Sequence, residues 1–248
     1  MKIIKINFVT IYFLLILFLC GYLKIGLIIF LIVIIHELGH VFFALLFHYK
    51  ILNITIYPFG GITKINKDLN TPIYKELLIA SGGVIFQLIL FLIINYLPLS
   101  IYFKSNFIKY NFSILFFNLL PIIPLDGSVI LNSFLNMIFS YKKSYYIYFF
   151  ISVIGIFLYL FTNIWFSLNN YLIISLFIIK TIYAWKNYKF LLNRFLLERY
   201  INKYEYKFIN TKEGNLDILK IDTYQYFKEN GKIVSEMTKL KERFDKQY

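Results

Sequence analysis

The stretch Lys24-Ile-Gly-Leu-Ile-Ile-Phe-Leu-Ile-Val-Ile-Ile-His36-Glu37-Leu-Gly-His40-Val-Phe-Phe-Ala-Leu-Leu-Phe47-His48-Tyr-Lys50 decides the architecture. Between its two lysines it is long enough to cross a hydrocarbon core, which takes about 20 helical residues. It also carries three ionisable groups within five positions at the depth where such groups cost most, unless they work or are neutralised. On a helix His36 and His40 are one turn apart and share a face, so both imidazoles can reach one Zn²⁺. Glu37 stands beside them, placed to take a proton from a metal-activated water. Gly39 leaves room for close approach of another helix or of a substrate.

Outward from this segment the chain stays apolar. It is 59% hydrophobic with 28 Phe and 22 Tyr, and only 16% of its 248 residues are charged, more apolar surface than one water-soluble core can hide. Charge-free runs extend from Ile6 to Leu23, from Leu77 to Phe103 and from Ser144 to Ile179. The composition excludes an ordinary soluble enzyme and predicts an all-α polytopic membrane protein. We place about six spans, at 6–23, 25–49, 77–99, 110–125, 145–163 and 168–185. The first is read as a retained span, since Cys20-Gly21-Tyr22-Leu23 offers no small-x-small cleavage site. The single cysteine, Cys20, excludes an internal disulfide and reads as a buried small apolar residue. Trp165 and Trp185 near span ends read as interfacial anchors.

The formal net charge of +13 is a matter of topology. With the N-terminus inside, the inner segments hold Lys2 and Lys5, then Lys50, Lys64, Lys67 and Lys75, then Lys142 and Lys143, then Lys180, Lys186, Lys189, Arg194 and Arg199. The outer loops hold only Lys24, Lys104 and Lys109, which predicts both termini in the cytosol. No basic cluster asks for nucleic acid. Alternating β-branched residues around Pro58 and Gly60-Gly61 predict a short hairpin over about 54–65, at or dipping into the membrane surface. These signals divide the chain into a transmembrane metalloprotease domain, 1–199, and a short cytosolic tail, 200–248. The tail is too small to bury a substantial core alone, and is expected to be helical from about 232 to 246. Arg194, Glu198 and Arg199 read as a surface helix pair.

Catalytic zinc takes three protein ligands and one open position. His48 lies about 12 Å beyond His40 along a helix axis, out of reach of the same ion, so it reads as an interfacial polar residue. Asp126 is the better third ligand. It is the acidic residue between Glu76 and Glu198, and it follows the helix-breaking Pro121-Ile-Ile-Pro124 stretch, where freed backbone must meet protein or a water-filled cavity. Other uses of the same polar cluster remain open from the residues: a structural zinc, a catalytically silent scaffold or a metal transporter.

His36-Glu37-Leu38-Gly39-His40, Pro58-Phe59-Gly60-Gly61 and Phe117-Asn118-Leu-Leu-Pro-Ile-Ile-Pro-Leu-Asp126-Gly127 together resemble the site-2 protease family of zinc intramembrane metalloproteases. The motifs look like those of its bacterial sporulation branch, and Arg194 to Tyr200 is similar to that branch as well. The resemblance implies one Zn²⁺ per chain on His36, His40 and Asp126, with Glu37 activating water. It implies that Asn118 holds the substrate near the metal and that Phe59, Gly60 and Gly61 line the substrate entrance. It implies a membrane-associated protein substrate, such as the pro-segment of a sporulation sigma factor precursor, and membrane regulatory proteins as partners. Two positions depart from the family's pattern: Ser128 stands where a second glycine is common after Asp-Gly, and Gly82-Gly83 replaces Gly-Pro. The tail is shorter than the branch's nucleotide-binding regulatory domain, so ATP sensing is not implied.

Overall fold

The computed structural model describes residues 4–6, 8–57, 60–163, 168–229 and 231–245. Phe59 and Trp165 lie outside the described residues. The chain divides into two compact units, residues 1–67 with 78–120, and residues 68–77 with 121–248.

In the first unit a strand β1 (Ile4–Ile6) precedes helices α1 (Phe8–Leu19) and α2 (Leu23–Leu46). Strands β2 (Lys50–Tyr57) and β3 (Gly60–Asn66) follow, then α3 (Ile73–Tyr96, in this unit from Leu78) and α4 (Ile101–Asn118). The buried stripe of α2 recurs every fourth residue, as Ile28, Ile32, His36, His40 and Ala44, so helical periodicity alone carries both histidines inward. Its opposite side, with Leu27, Leu31, Leu38, Phe42 and Leu45, is exposed and suits hydrocarbon. The helix ends in a Schellman turn: Tyr49 N–H donates to Ala44 O and His48 N–H to Leu45 O, with His48 at φ 61°. One end of α2 packs through Ile28 and Ile32 against Ile94 and Phe107. Near its middle the backbone of α3 comes so close that a Cβ on Gly39 would stand 2.2 Å from Gly82 O, and one on Gly82 would stand 2.5 Å from Gly39 O. The space expected at Gly39 is therefore filled by a helix.

The expected hairpin is present and longer than 54–65. It pairs Ile51 with Ile65 and Tyr57 with Gly60, and β1 joins β2 in parallel to make a three-stranded sheet in the order β1-β2-β3. Among the described residues β3 is an edge strand of that sheet.

The second unit holds α5 (Asp126–Ile138), α6 (Tyr141–Asn163) and α7 (Leu168–Ile201). After them come β4 (Phe208–Glu213), a 3-10 turn at Leu216–Ile218, β5 (Thr223–Glu229), β6 (Lys232–Ser235) and α8 (Glu236–Phe244). The proline-rich break before α5 is seated on α6. Ile123 N–H donates to Ser152 Oγ at 2.8 Å, and a Cβ on Gly155 would lie 2.8 Å from Ile122. The backbone freed by Pro124 is thus met by protein. The tail shares one core with the helices: Leu219, Ile221, Phe227 and Leu240 pack with Ile73, Tyr141, Phe195 and Leu196.

Three expectations are corrected. The protein is mostly helical, but among the described residues only three helices are long and apolar enough to cross a membrane: Leu23–Leu46, Ile73–Tyr96 and Tyr141–Phe161. The expected six spans counted charge-free runs, and a run is not a helix. The first run yields α1 with 12 residues, shorter than a bilayer crossing needs. The 18 residues of α4 include Lys104 and Lys109, and the lysines of α7 begin at Lys180. The all-α class also fails, because two three-stranded sheets are present, the second in the order β4-β5-β6. Within the tail, 232–235 is strand and only Glu236–Phe244 is helix.

Arg199 is no surface residue. Arg194 does pair with Glu198 at 2.8 Å, one turn on, but the Arg199 side chain is fully buried. Its Nη1 meets Glu236 at 3.1 Å, its Nε donates to Asn70 Oδ1 at 2.8 Å, and Nη2 donates to the carbonyls of Thr223 and Lys220.

Candidate metal centre

The centre begins with α2. His36, Glu37 and His40 are each buried, and one ligand atom from each falls within 4.8 Å of the other two. The two imidazoles meet edge to face, with Nε2 3.2 Å from Nε2. Their other nitrogens are engaged from α3: His40 Nδ1 is 2.8 Å from Ile79 O, and His36 Nδ1 is 3.0 Å from Gln87 Oε1. A carbonyl oxygen only accepts, so Nδ1 is the donor on both rings and the two Nε2 lone pairs converge. Two lone pairs aimed at each other repel unless a cation stands between them. Tetrahedral Zn–N bonds of about 2.0–2.1 Å set two nitrogens about 3.3 Å apart, which matches the observed spacing. The donor set therefore fits a zinc ion.

Glycines make the space. A Cβ on Gly83 would stand 2.3 Å from His36 Cε1, and one on Gly61 would stand 2.4 Å from Glu37 Cδ. Gly61 lies on β3 next to the carboxylate, and Thr63 Oγ1 on the same strand donates to Glu37 Oε2 at 2.7 Å. The strand holds one carboxylate oxygen, and Oε1 stands on the side of Gly61. Gly60 has open space around its Cα. From α4, Asn118 Nδ2 lies 3.5 Å from His36 Nε2.

The first unit thus brings together His36, Glu37, His40, Asn118 and Gly61, adds Gly83, noted in the sequence only as a departure from Gly-Pro, and adds two residues that the sequence reading passed over, Thr63 and Gln87. Gln87 could have been noticed, because it is a polar residue within the charge-free run from Leu77 to Phe103, one turn after Gly83. Asp126 stands in the second unit, as the first residue of α5, where a carboxylate suits the positive end of the helix. His48 is an exposed turn residue, outside the cluster.

Comparison with known proteins agrees with this chemistry. Residues 24–107 match the model of peptidase family M50. The chain is similar to Stage IV sporulation protein FB of Bacillus subtilis, at 33% identity over 131 residues, covering 51% of this chain and 46% of that protein. It is similar to a zinc metalloprotease of Methanocaldococcus jannaschii, at 33% identity over 121 residues, covering 45% and 34%. The chain thus spans less than half the length of these curated relatives. A solved site-2 protease from Methanocaldococcus jannaschii aligns with a TM-score of 0.49 and 22% identity, over 82% of this chain and 93% of that one.

Proposed function

Because the chain belongs to peptidase family M50, the site-2 proteases, we propose that it is a zinc-dependent intramembrane endopeptidase. The observation that carries the reading is the pair of buried Nε2 atoms 3.2 Å apart with Glu37 beside them, on a helix apolar enough to span a membrane. His36, His40 and Asp126 would hold one zinc. Bound there, zinc would polarise the substrate carbonyl and lower the pKa of a water. Glu37 takes the proton of the attacking water and delivers it to the departing amine. Thr63 fixes the carboxylate for that task by binding Oε2. The Asn118 amide, beside His36, holds the substrate near the metal.

A helical substrate hides its carbonyls in its own hydrogen bonds, so it must unwind to be cut. The edge of β3 supports an account of how it is held afterwards. A peptide added as the next strand would run past Thr63 and Gly61, the residues that touch Glu37. Gly60 and Gly61 line its entrance. We take 1–199 as the protease domain and 200–248 as the tail. Glu37 lies about 20 Å along α2 from Lys24 and about 14 Å from the helix end at Leu46, nearer the end that we place at the cytosolic face.

The substrate class is a membrane-associated protein, and specifically the pro-segment of a sporulation sigma factor precursor. Its support is the likeness to Stage IV sporulation protein FB. Metal analysis of the purified chain tests the centre: wild type should hold one zinc, and His36→Ala, His40→Ala and Asp126→Ala should each lower occupancy. Full zinc in the Asp126 variant removes that residue from the ligand set. Co-expression with the host's sigma factor precursors tests the substrate. Cleavage of some other membrane protein instead would keep the protease and end the sporulation role, and zinc uptake into vesicles without cleavage would favour a transporter.

A further inference from the structure

Gln87 is a fully buried amide on α3, and the two ends of its side chain are not interchangeable. Its Nε2 stands 3.4 Å from the main-chain oxygen of Asn111 and 3.4 Å from Asn111 Oδ1. Both are acceptors, so the amide nitrogen must be the end that faces α4. Asn111, itself fully buried, returns a bond from Nδ2 to the main-chain oxygen of Gln87 at 3.1 Å. This reciprocal pair leaves Gln87 Oε1 pointing the other way, at His36 Nδ1. An amide oxygen cannot donate, so it admits only the ring form with hydrogen on Nδ1 and the lone pair on Nε2. The contact of Asn118 Nδ2 with His36 Nε2 agrees, since that nitrogen must then accept.

A buried amide in a membrane helix costs free energy unless its partners are satisfied. Here the whole side chain is committed to one alignment, running from Asn111 through Gln87 to His36. His40 is served by a main-chain carbonyl, Ile79 O, which any residue at position 79 would supply. His36 Nδ1 meets the side chain of Gln87, so a substitution at position 87 changes the acceptor itself.

We propose that Gln87, oriented by Asn111, is a positioning residue that fixes the tautomer and ring plane of His36 so that Nε2 faces the metal. The proposal rests on the protease reading for the identity of the ion, and on hydrogen-bond geometry for the rest. Partners of this kind typically account for about 10- to 100-fold in metal affinity.

The test uses the full chain in detergent, with zinc affinity measured by chelator competition. Gln87→Met keeps the length and removes the acceptor, and should weaken zinc binding by about 10- to 100-fold. Gln87→Glu keeps the acceptor for His36 while losing the amide donor toward Asn111, and should bind zinc more tightly than Gln87→Met. A role in packing alone would move thermal stability in both variants and would not separate their zinc affinities. The chain has only three histidines, so ring-nitrogen spectra of the zinc-loaded, histidine-labelled protein give a second reading. Wild type should show His36 bound through Nε2 with a hydrogen-bonded Nδ1–H, and that signal should move in Gln87→Met while the signal of His40 stays. Should Gln87→Met fail to fold, Asn111→Leu carries the test, because it releases the amide of Gln87 and should weaken zinc severalfold. The proposal is overturned if zinc affinity is unchanged in the folded Met or Leu variant while His36→Ala loses zinc, or if Gln87→Glu is as weak as Gln87→Met. A wild type that binds no zinc, or whose zinc ignores His36→Ala, fails one level earlier and takes the protease reading with it.

Discussion

Gly60 and Gly61 are adjacent, yet an added methyl would mean opposite things at the two. At Gly60 it meets nothing within 4 Å, whereas at Gly61 it lands 2.4 Å from the Glu37 carboxyl carbon. Gly61→Ala must push that carboxylate off its place, and a displacement of about 1 Å can cost roughly 100-fold in rate. The expected outcome is a kcat lower by about that factor in Gly61→Ala with zinc content unchanged, and near-wild-type turnover in Gly60→Ala. Equal effects at the two positions would show that the loop acts as a unit, and that contact with Glu37 is not what the glycine protects. Residue-level chemistry was the most legible part of this chain. His36, Glu37 and His40 announce themselves because their helical spacing is their geometry. Gln87 and Thr63 were hidden, since one polar residue in an apolar run or one threonine in a strand gives no sign of what it faces across the fold.

At the scale of elements, α7 and α8 are tied by a pair that sequence spacing concealed. Arg194, Glu198 and Arg199 look like one exposed helical network, yet of the three only Arg194 is exposed, and its partner Glu198 also accepts from the Leu69 N–H. Arg199 instead turns inward to Glu236, 37 positions away, with side-chain exposures of 0% and 2%. Breaking such a pair from one side strands a buried charge, at a cost of roughly 3–5 kcal/mol. Burial pushes the Glu236 carboxyl above its usual range, and the Arg199 guanidinium pulls it back down. A folded pKa above the unfolded one means that the folded tail holds this proton more tightly. That contribution is complete below the ordinary carboxylate range and is lost as pH rises through the folded value. Arg199→Met removes the opposing pull, raises the folded pKa further and widens the loss. Thermal unfolding of the variant should therefore show a larger drop in Tm at neutral than at mildly acid pH. A drop of equal size at both would mean that Glu236 does not titrate with the fold. The strands of the tail were illegible for a related reason. On β5 the inward positions are Thr223, Gln225 and Phe227, and two polar residues out of three mask the alternation.

At the scale of the whole molecule, composition announced a membrane protein correctly and counted its crossings wrongly. Apolar runs report where lipid is tolerated, while helix length, lysines such as Lys104 and Lys109, and chain breaks decide what crosses. The short tail acquires a core because it borrows one: Phe195, Leu196, Ile73 and Tyr141 supply the apolar surface that its own residues could not. The function proposed for the assembled chain comes down to one carboxylate beside two converging imidazoles. Glu37→Gln keeps the size of that side chain and its bond from Thr63 while removing the base. Cleavage of a reconstituted membrane substrate by the zinc-loaded wild type and by this variant tests the account most directly. It predicts one zinc in each protein and a cleavage rate at least about 100-fold lower in the variant. Cleavage at the wild-type rate by the zinc-loaded Gln variant would contradict it.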